Sequence, residues 1–308
     1  MPYEHLIFDA FIYFFLFAIG LGILDLSGRV SRSKRFLTVP LVFILSIIWL
    51  AVFYGSFIEP KMIRTSFYNV DLNRSSSAEK IEKIKIVVLS DLHLGPYNGQ
   101  DLVKKVVKRV NALRPDLVIL AGDYIAYKNK SLDQYAPLAD LVAPMGILAV
   151  TGNHDYQENV EEVIDALSKY HVNFLRNRGV TIEVDQHELF IAGVNDYWHD
   201  AMDLSKALAS ATPDQTVLLV AHNPDVVRYL PQGAKVDLMI SGHTHGGQIR
   251  LPWLGPLVEP PTDLPREYAH GLKIYDNVKM LISAGLGEVG PRARLFDPPE
   301  VVVLETIF

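Results

Sequence analysis

Hydrophobic patterning divides the 308-residue chain into two regimes. In the first, apolar positions are nearly continuous. Leu6 to Leu24 is apolar except for Asp9, and Phe36 to Ile58 carries no charge. As helices these runs extend roughly 28 Å and 34 Å, against a hydrocarbon core of about 30 Å. They predict two transmembrane helices over about 6–24 and 36–58. A buried core helix of this length would show a polar face, and neither run has one. A signal peptide would open on a basic segment and would not be followed directly by a second span.

In the second regime, short apolar runs alternate with amphipathic stretches. Ser66 to Leu72 fits an opening strand, and residues 71–83 are polar and free of aromatics, as a linker or surface loop is. Ile84–Leu89, Leu117–Leu120, Ile147–Val150, Leu189–Val194, Thr216–Val220, Leu238–Ile240, Met280–Ser283 and Val301–Ile307 are β-branched or apolar runs of strand length. Leu102, Val103, Val106, Val107, Val110 and Leu113 recur at helical spacing, and a second helical pattern covers Glu158 to Lys169. Strands alternating with helices predict a layered α/β domain over residues 60–308, preceded by an anchor over 1–59.

Charge adds an orientation. Arg29, Arg32, Lys34 and Arg35 crowd the loop between the two runs. Met1 to His5 has no Lys or Arg, and Lys61, Arg64 and Arg74 are spread out beyond the second run. The positive-inside rule places the loop in the cytoplasm and both termini outside. The net charge of −6 argues against a nucleic-acid backbone as partner. With no cysteine, the chain has no disulfide, thiolate metal site or cysteine nucleophile.

Candidate chemistry follows the strands. Their ends read Ser90-Asp91-Leu92-His93, Ala121-Gly122-Asp123, Thr151-Gly152-Asn153-His154-Asp155, Val220-Ala221-His222-Asn223 and Ser241-Gly242-His243-Thr244-His245-Gly246-Gly247. Open α/β sheets bind ligands at the carboxyl ends of their strands. Residues two apart in extended chain share a face, so Asp91 with His93, and His243 with His245, can enter one pocket. Mixed carboxylate, carboxamide and imidazole donors suit Mn²⁺, Fe or Zn²⁺ better than Ca²⁺. Singly, each motif has an ordinary reading: Asp-x-His as a surface pair, Gly-Asp as turn chemistry, Gly-Asn-His-Asp as a loop, Gly-His-Thr-His-Gly as one structural metal site. Five of them in one domain, each directly after an apolar strand, set those readings aside.

Together these motifs resemble the signature of the calcineurin-like metallophosphoesterase superfamily over about residues 66–308. The resemblance implies a four-layer α/β/β/α sandwich. It implies that Asp91, His93, Asp123 and His245 hold one divalent ion, and that Asp123 bridges to a second held by Asn153, His222 and His243. Mn²⁺ is the expected metal, with Zn²⁺ or Fe as alternatives. His154 would lie beside the substrate phosphate with Asp155 orienting it, and hydrolysis would proceed by attack of a metal-bridging hydroxide. The segments His243-Thr-His-Gly-Gly-Gln-Ile-Arg-Leu-Pro252 and Arg294-Leu-Phe-Asp-Pro-Pro-Glu300 are similar to a membrane-anchored bacterial branch. That branch holds YkuE/YaeI-type phosphoesterases and UDP-2,3-diacylglucosamine pyrophosphatase-like enzymes.

The expectation is thus a multi-pass protein of the cell (inner) membrane with an extracytoplasmic catalytic domain. It would split a phosphodiester or pyrophosphate bond in a lipid-linked or envelope substrate. The alternatives are a phosphomonoesterase and an inactive metal-binding membrane sensor. His5, His171, His187 and His270 match no motif and read as ordinary polar residues, with His199 undecided. Asn195 to Trp198 fits either a substrate groove or a structural turn. The apolar Leu251–Val258 stretch fits either buried packing or a lid dipping toward lipid.

Overall fold

The computed structural model describes residues 4–29, 35–72, 83–126, 132–157, 159–184, 187–199 and 202–307. Arg32 and Lys34 of the basic loop, and most of the polar stretch 71–83, lie outside them. The two apolar runs form helices α1 (Glu4–Gly28) and α2 (Arg35–Phe57). Both are long and apolar enough to cross a membrane, and their faces are left almost wholly uncovered by protein. Trp49 fastens the pair: its indole N–H donates to Leu16 O (2.9 Å), and its face stacks on Phe53. Asp9, the one charge in the first run, accepts a hydrogen bond from Tyr97 of the globular part (3.2 Å).

The remaining chain builds two six-stranded sheets. The first has the order β1 (Arg64–Asp71), β14 (Glu300–Ile307), β2 (Lys83–Leu89), β3 (Leu117–Leu120), β4 (Ile147–Ala149), β5 (Val172–Phe174). The second has the order β12 (Gly271–Tyr275), β13 (Val278–Ile282), β9 (Leu238–Ser241), β8 (Thr216–Val220), β7 (His187–Gly193), β6 (Arg178–Val184). Strands β2 to β5 are mutually parallel, as are β13, β9, β8 and β7.

Strand alternation sorts the core into layers. Ile86 and Val88 face the second sheet, where they join Leu218, Val220 and Ile240 in the central core. Val87 and Leu89 point the other way, against α3 (Gln100–Leu113), whose Val103, Val106, Val107 and Val110 are buried at three- and four-residue spacing. Helix α4 (Val160–Ser168) packs on the same side, over Val163 and Leu167. On the outer face of the second sheet, Val217, Leu219 and Met239 meet α5 (Leu204–Leu208) through Leu204 and Ala207. The result is the expected four-layer order, α/β/β/α.

Every strand anticipated from the sequence forms. Edge strands β5, β6 and β12 carry no clear signal in the sequence: β6 and β12 are half-exposed and mixed in polarity, and β5 is only three residues long. The helix expected over Glu158 to Lys169 begins at Val160, where the Asn159 side chain caps it by accepting from Glu161 N; residue 158 is outside the described residues.

Candidate metal centre

Parallel strands deliver their following residues to one end of each sheet. Asp91 and His93 follow β2, Asp123 follows β3, Asn153 and His154 follow β4, His222 follows β8, and His243 and His245 follow β9. The two sheets face each other, so these ends meet in one buried cluster.

The loops carrying them are unusual in backbone shape. Asp91, His93, Asp123, His243 and His245 all have positive φ, between 44° and 72°. Non-glycine residues seldom adopt this region, and where they do, the surroundings must hold them there. Two glycines allow the close approach. A Cβ at Gly152 would collide with the Asp123 carboxylate, and one at Gly242 with the Ser90 hydroxyl. Ser90 and the His243 amide in turn hold Asp91, with Ser90 Oγ donating to Oδ2 (2.5 Å) and His243 N to Oδ1 (3.2 Å).

Side chains gather into overlapping groups of potential metal ligands: Asp91, His93 and His245; His93, Asp123 and His154; and Asp123, His222 and His243, with ligand atoms in each group within 4.8 Å of one another. Asp123 Oδ2 stands 3.4 Å from His93 Nε2 and 3.1 Å from His222 Nε2, so one carboxylate oxygen serves two groups. His245 Nε2 lies 3.4 Å from Asp91 Oδ1 and 3.1 Å from His93 Nε2. Ring orientations are set from outside the cluster. His222 Nδ1 bonds Ala121 O (2.7 Å) and His243 Nε2 bonds Pro261 O (2.8 Å), leaving the other nitrogen of each for the centre.

The donor set fits divalent cations. Asn153 Oδ1 is buried without a hydrogen-bond partner, a costly state for a polar atom that a cation would relieve. Burial opposes charge on each ionisable member. It brings His154 and His243 down to about 4 and His245 to about 3, with nearby histidine charge adding to the effect. At His222 the adjacent Asp123 overcomes burial and lifts the ring to about 10. Burial also opposes ionisation of Asp91 and Asp123, yet His245 and His222 respectively keep their carboxyls below the usual range.

The other anticipated residues separate clearly. Asp155, expected to orient His154, instead accepts backbone N–H groups from Asp123, Tyr124 and Gly152 (3.2, 2.8 and 2.8 Å) and ties two ligand loops together. The group that meets His154 is Gln157, whose Nε2 is 3.1 Å from His154 Nδ1. Asp196 holds a turn through Trp198 N and His199 N (2.9 and 3.0 Å), while Trp198 sets its ring edge-on to His243 at 4.6 Å. His270 is not merely a polar surface group: it bonds the buried Glu300 (3.0 Å), which also accepts from Ser66 (2.6 Å) and Arg64 (3.1 Å). Arg294, read only as part of a motif, is fully buried and donates to the carbonyls of Ala284, Gly287 and Asp297.

Above the cluster lies a cavity of about 360 Å³ with His154 and His245 on its floor and walls that include Trp198, Ile249, Val258 and Val289. Of these walls, Trp198 and Val258 fall in stretches the sequence marks as groove or lid alternatives, Ile249 lies inside the His243–Pro252 segment, and Val289 carries no sequence signal.

Comparisons with known proteins agree with this geometry. The profile of the Calcineurin-like phosphoesterase family matches residues 84–247, which include all the cluster residues. A Caenorhabditis elegans protein named as a metallophosphoesterase is 31% identical over 290 residues, covering 89% of this chain and 58% of its own length. The metallophosphoesterase YkuE of Bacillus subtilis is 30% identical, covering 81% of this chain and 87% of its own. A bovine transmembrane protein with metallophosphoesterase domain is 36% identical over 185 residues, covering 55% of this chain and 42% of its own. The chain therefore spans somewhat over half of the nematode relative and less than half of the bovine one.

Proposed function

The chain belongs to the calcineurin-like phosphoesterase family, and we propose that it is a membrane-anchored, two-metal hydrolase of a phosphodiester or pyrophosphate bond in a lipid-linked or cell-envelope molecule. The observation that carries the reading is the sharing of Asp123 Oδ2 between the His93 and His222 groups. One ion would be held by Asp91, His93, Asp123 and His245, and the other by Asp123, Asn153, His222 and His243. Mn²⁺ is the metal we assign first, ahead of Zn²⁺ or Fe, since the ligands mix oxygen with imidazole nitrogen. Bound there, two divalent ions supply Lewis acidity toward phosphoryl oxygens and a lowered pKa for water.

The rest is done by the chain's own side chains. Gln157 donates to His154 Nδ1, which leaves Nε2 as the nitrogen carrying the proton toward the cavity. There the neutral ring can donate to a phosphoryl oxygen. An anionic phosphate beside it favours a second proton on the ring, with the Gln157 amide oxygen turned to accept from Nδ1. That imidazolium can hand its Nε2 proton to the departing oxygen and return to neutral imidazole. Trp198 holds the His243 ring from one side. Asp155 serves the reaction by fixing the loops of Asp123 and Asn153.

Residues 1–59 are assigned as the anchor and 60–308 as the catalytic domain. Both α1 and α2 cross the cell membrane in this reading, with the catalytic domain outside. The hydropathy of the two helices, the clustered Arg29–Arg35 charges and the bovine relative's name support it. The apolar cavity walls favour a substrate with an apolar portion.

The test is turnover by full-length protein purified in detergent, stripped with a chelator and reloaded with Mn²⁺, Zn²⁺ or Fe²⁺. Hydrolysis of bis-p-nitrophenyl phosphate should vanish on chelation and return with Mn²⁺, exceeding that of p-nitrophenyl phosphate. Metal-independent turnover would refute the mechanism, and a preference for the monoester would refute the bond assignment.

A further inference from the structure

The end of the first sheet that carries the metal ligands is also the end that joins the anchor. Strand β1 starts at Arg64, shortly after α2 ends at Phe57. Arg64 pairs with Glu300 on β14, and β14 pairs antiparallel with β2 at Val302–Val88. Continuing that register sets Glu300 level with Ser90. Adjacent strands lie about 4.8 Å apart, so the residues leading into Asp91 stand about 10 Å from the point where the chain leaves the anchor.

A collar of loop connects the two. Gly287 N donates to Asp91 O beside the ligands (2.6 Å). Further along, Arg292 lies over the Phe57 ring at the end of α2 (5.7 Å), and Arg294 N donates to Gly55 O within its last turn (2.8 Å). Phe296 N and Asp297 N donate to Glu59 (3.0 and 2.7 Å). This loop carries a hairpin, because Arg250 N bonds Leu295 O (2.9 Å) at the start of β10 (Arg250–Leu251), which pairs with β11 (Gly255–Pro256). The tip of the hairpin is three residues on, about 10 Å away at strand rise.

Around that tip the surface is strongly apolar. Trp253 is completely exposed (102%), and Leu254, Leu257, Val258 and Phe296 are exposed as well. Arg250, Arg266 and Lys273, with one acid, Glu267, line the cleft beside Trp253 and Phe296. A soluble surface rarely gathers so many large apolar side chains without a partner. A Trp tip flanked by cations, continuous with the end of an apolar helix, has the chemistry of a headgroup layer. Val258 also belongs to the wall of the metal-centre cavity.

We propose that the hairpin, with Leu257, Val258 and Phe296, contacts the bilayer interface and sets the mouth of the metal centre against the headgroups. Substrate then enters from the membrane: its phosphate lies at headgroup depth, and its chain runs along Ile249, Val258 and Val289. This rests on α1 and α2 being membrane spans and narrows the substrate to amphiphiles that need not leave the bilayer.

The cysteine-free chain allows a direct test. Single cysteines at Trp253, at Ile44 in mid-α2 and at Glu183 on the far end of β6 would be labelled with an environment-sensitive fluorophore in the full-length protein. The labelled proteins would be placed in phosphatidylcholine/phosphatidylglycerol vesicles with nitroxide lipids of shallow or deep label. We expect quenching at 253 by the shallow label, at 44 by the deep label, and little at 183. Quenching at 44 with none at 253 would overturn the hairpin's role and leave the spans standing. Absence of quenching at 44 would overturn both. Shielding at 253 that rises with protein density, without quenching, would mean that a second copy covers the patch, and the proposal would fall. As an independent readout, Trp253→Ala with Leu254→Ser should raise KM for a long-chain phosphodiester in these vesicles roughly tenfold while sparing a small soluble diester. Equal changes on both substrates would contradict entry from the membrane.

Discussion

The floor and the rim of the cavity are built in opposite ways. The floor is the polar cluster beneath the cavity, where Asp91, His93, Asp123, His222, His243 and His245 are buried and five of the six are held at positive φ. The rim is the hairpin surface, which reaches the cavity through Val258: there Trp253, Leu254, Leu257 and Val258 are apolar and exposed. The floor contributes no favourable burial and contains strained backbone, so the sandwich beneath it must supply the stability. Such an arrangement makes sense where geometry has to be set before a ligand arrives. The rim gains nothing from its exposure until something apolar covers it. In the reading proposed above, chemistry is written into the floor and choice of substrate into the rim.

The sharpest way to probe the floor is His154→Ala. Both metals should remain, since His154 is assigned to neither ligand set, yet turnover should fall by about 10²–10⁴-fold, the range for a general acid–base group. The loss should shrink on a diester whose leaving phenol is very acidic. An equal loss on good and poor leaving groups would restrict His154 to charge stabilisation.

An intermediate effect is expected beneath the floor, at Glu300. Burial raises its pKa, but the hydrogen bond from His270 and the contacts from Ala284 N and Ser66 prevail and bring it to about 2. A carboxyl depressed on folding adds stability above its unfolded value, and that stability is lost as pH falls toward the folded value. Glu300→Gln should lower stability at pH 7 by about 1–3 kcal/mol and weaken the acid dependence between about pH 4.5 and 2. Thermal melts across that window measure it, and an unchanged acid profile would remove Glu300 from the account.

The smallest effect belongs to the rim. Trp253 has no burial to lose, so Trp253→Ala should change stability by no more than about 0.5 kcal/mol. A large drop in Tm would make it a packing residue after all.

The floor was legible in the sequence because its signals are local. Each ligand follows an apolar strand within a few residues, and the strands themselves are short runs such as Ile84–Leu89 and Thr216–Val220. The edge strand Arg178–Val184 escaped notice because its burial is partial and its pattern mixed. Gln157 could not be found, since nothing in its neighbourhood of the chain says that its amide turns back to His154. The burial of Arg294 is equally invisible in the sequence. Charged side chains are normally outside, and only the carbonyls of residues 284–297, gathered by the fold, explain why this one is buried. The apolar stretch Leu251–Val258 admitted both a core and a surface reading, and it is the hairpin, carried out on the collar loop, that exposes Trp253.

The claim on which the rest depends is that Asp123 joins two metal sites. It is tested by elemental analysis of purified full-length protein and Asp123→Ala, paired with diester turnover and a melting curve to confirm folding. The account predicts two divalent ions per wild-type chain, at most one tightly held ion in the variant, and no turnover by it. Two ions and near-normal turnover in folded Asp123→Ala would contradict it.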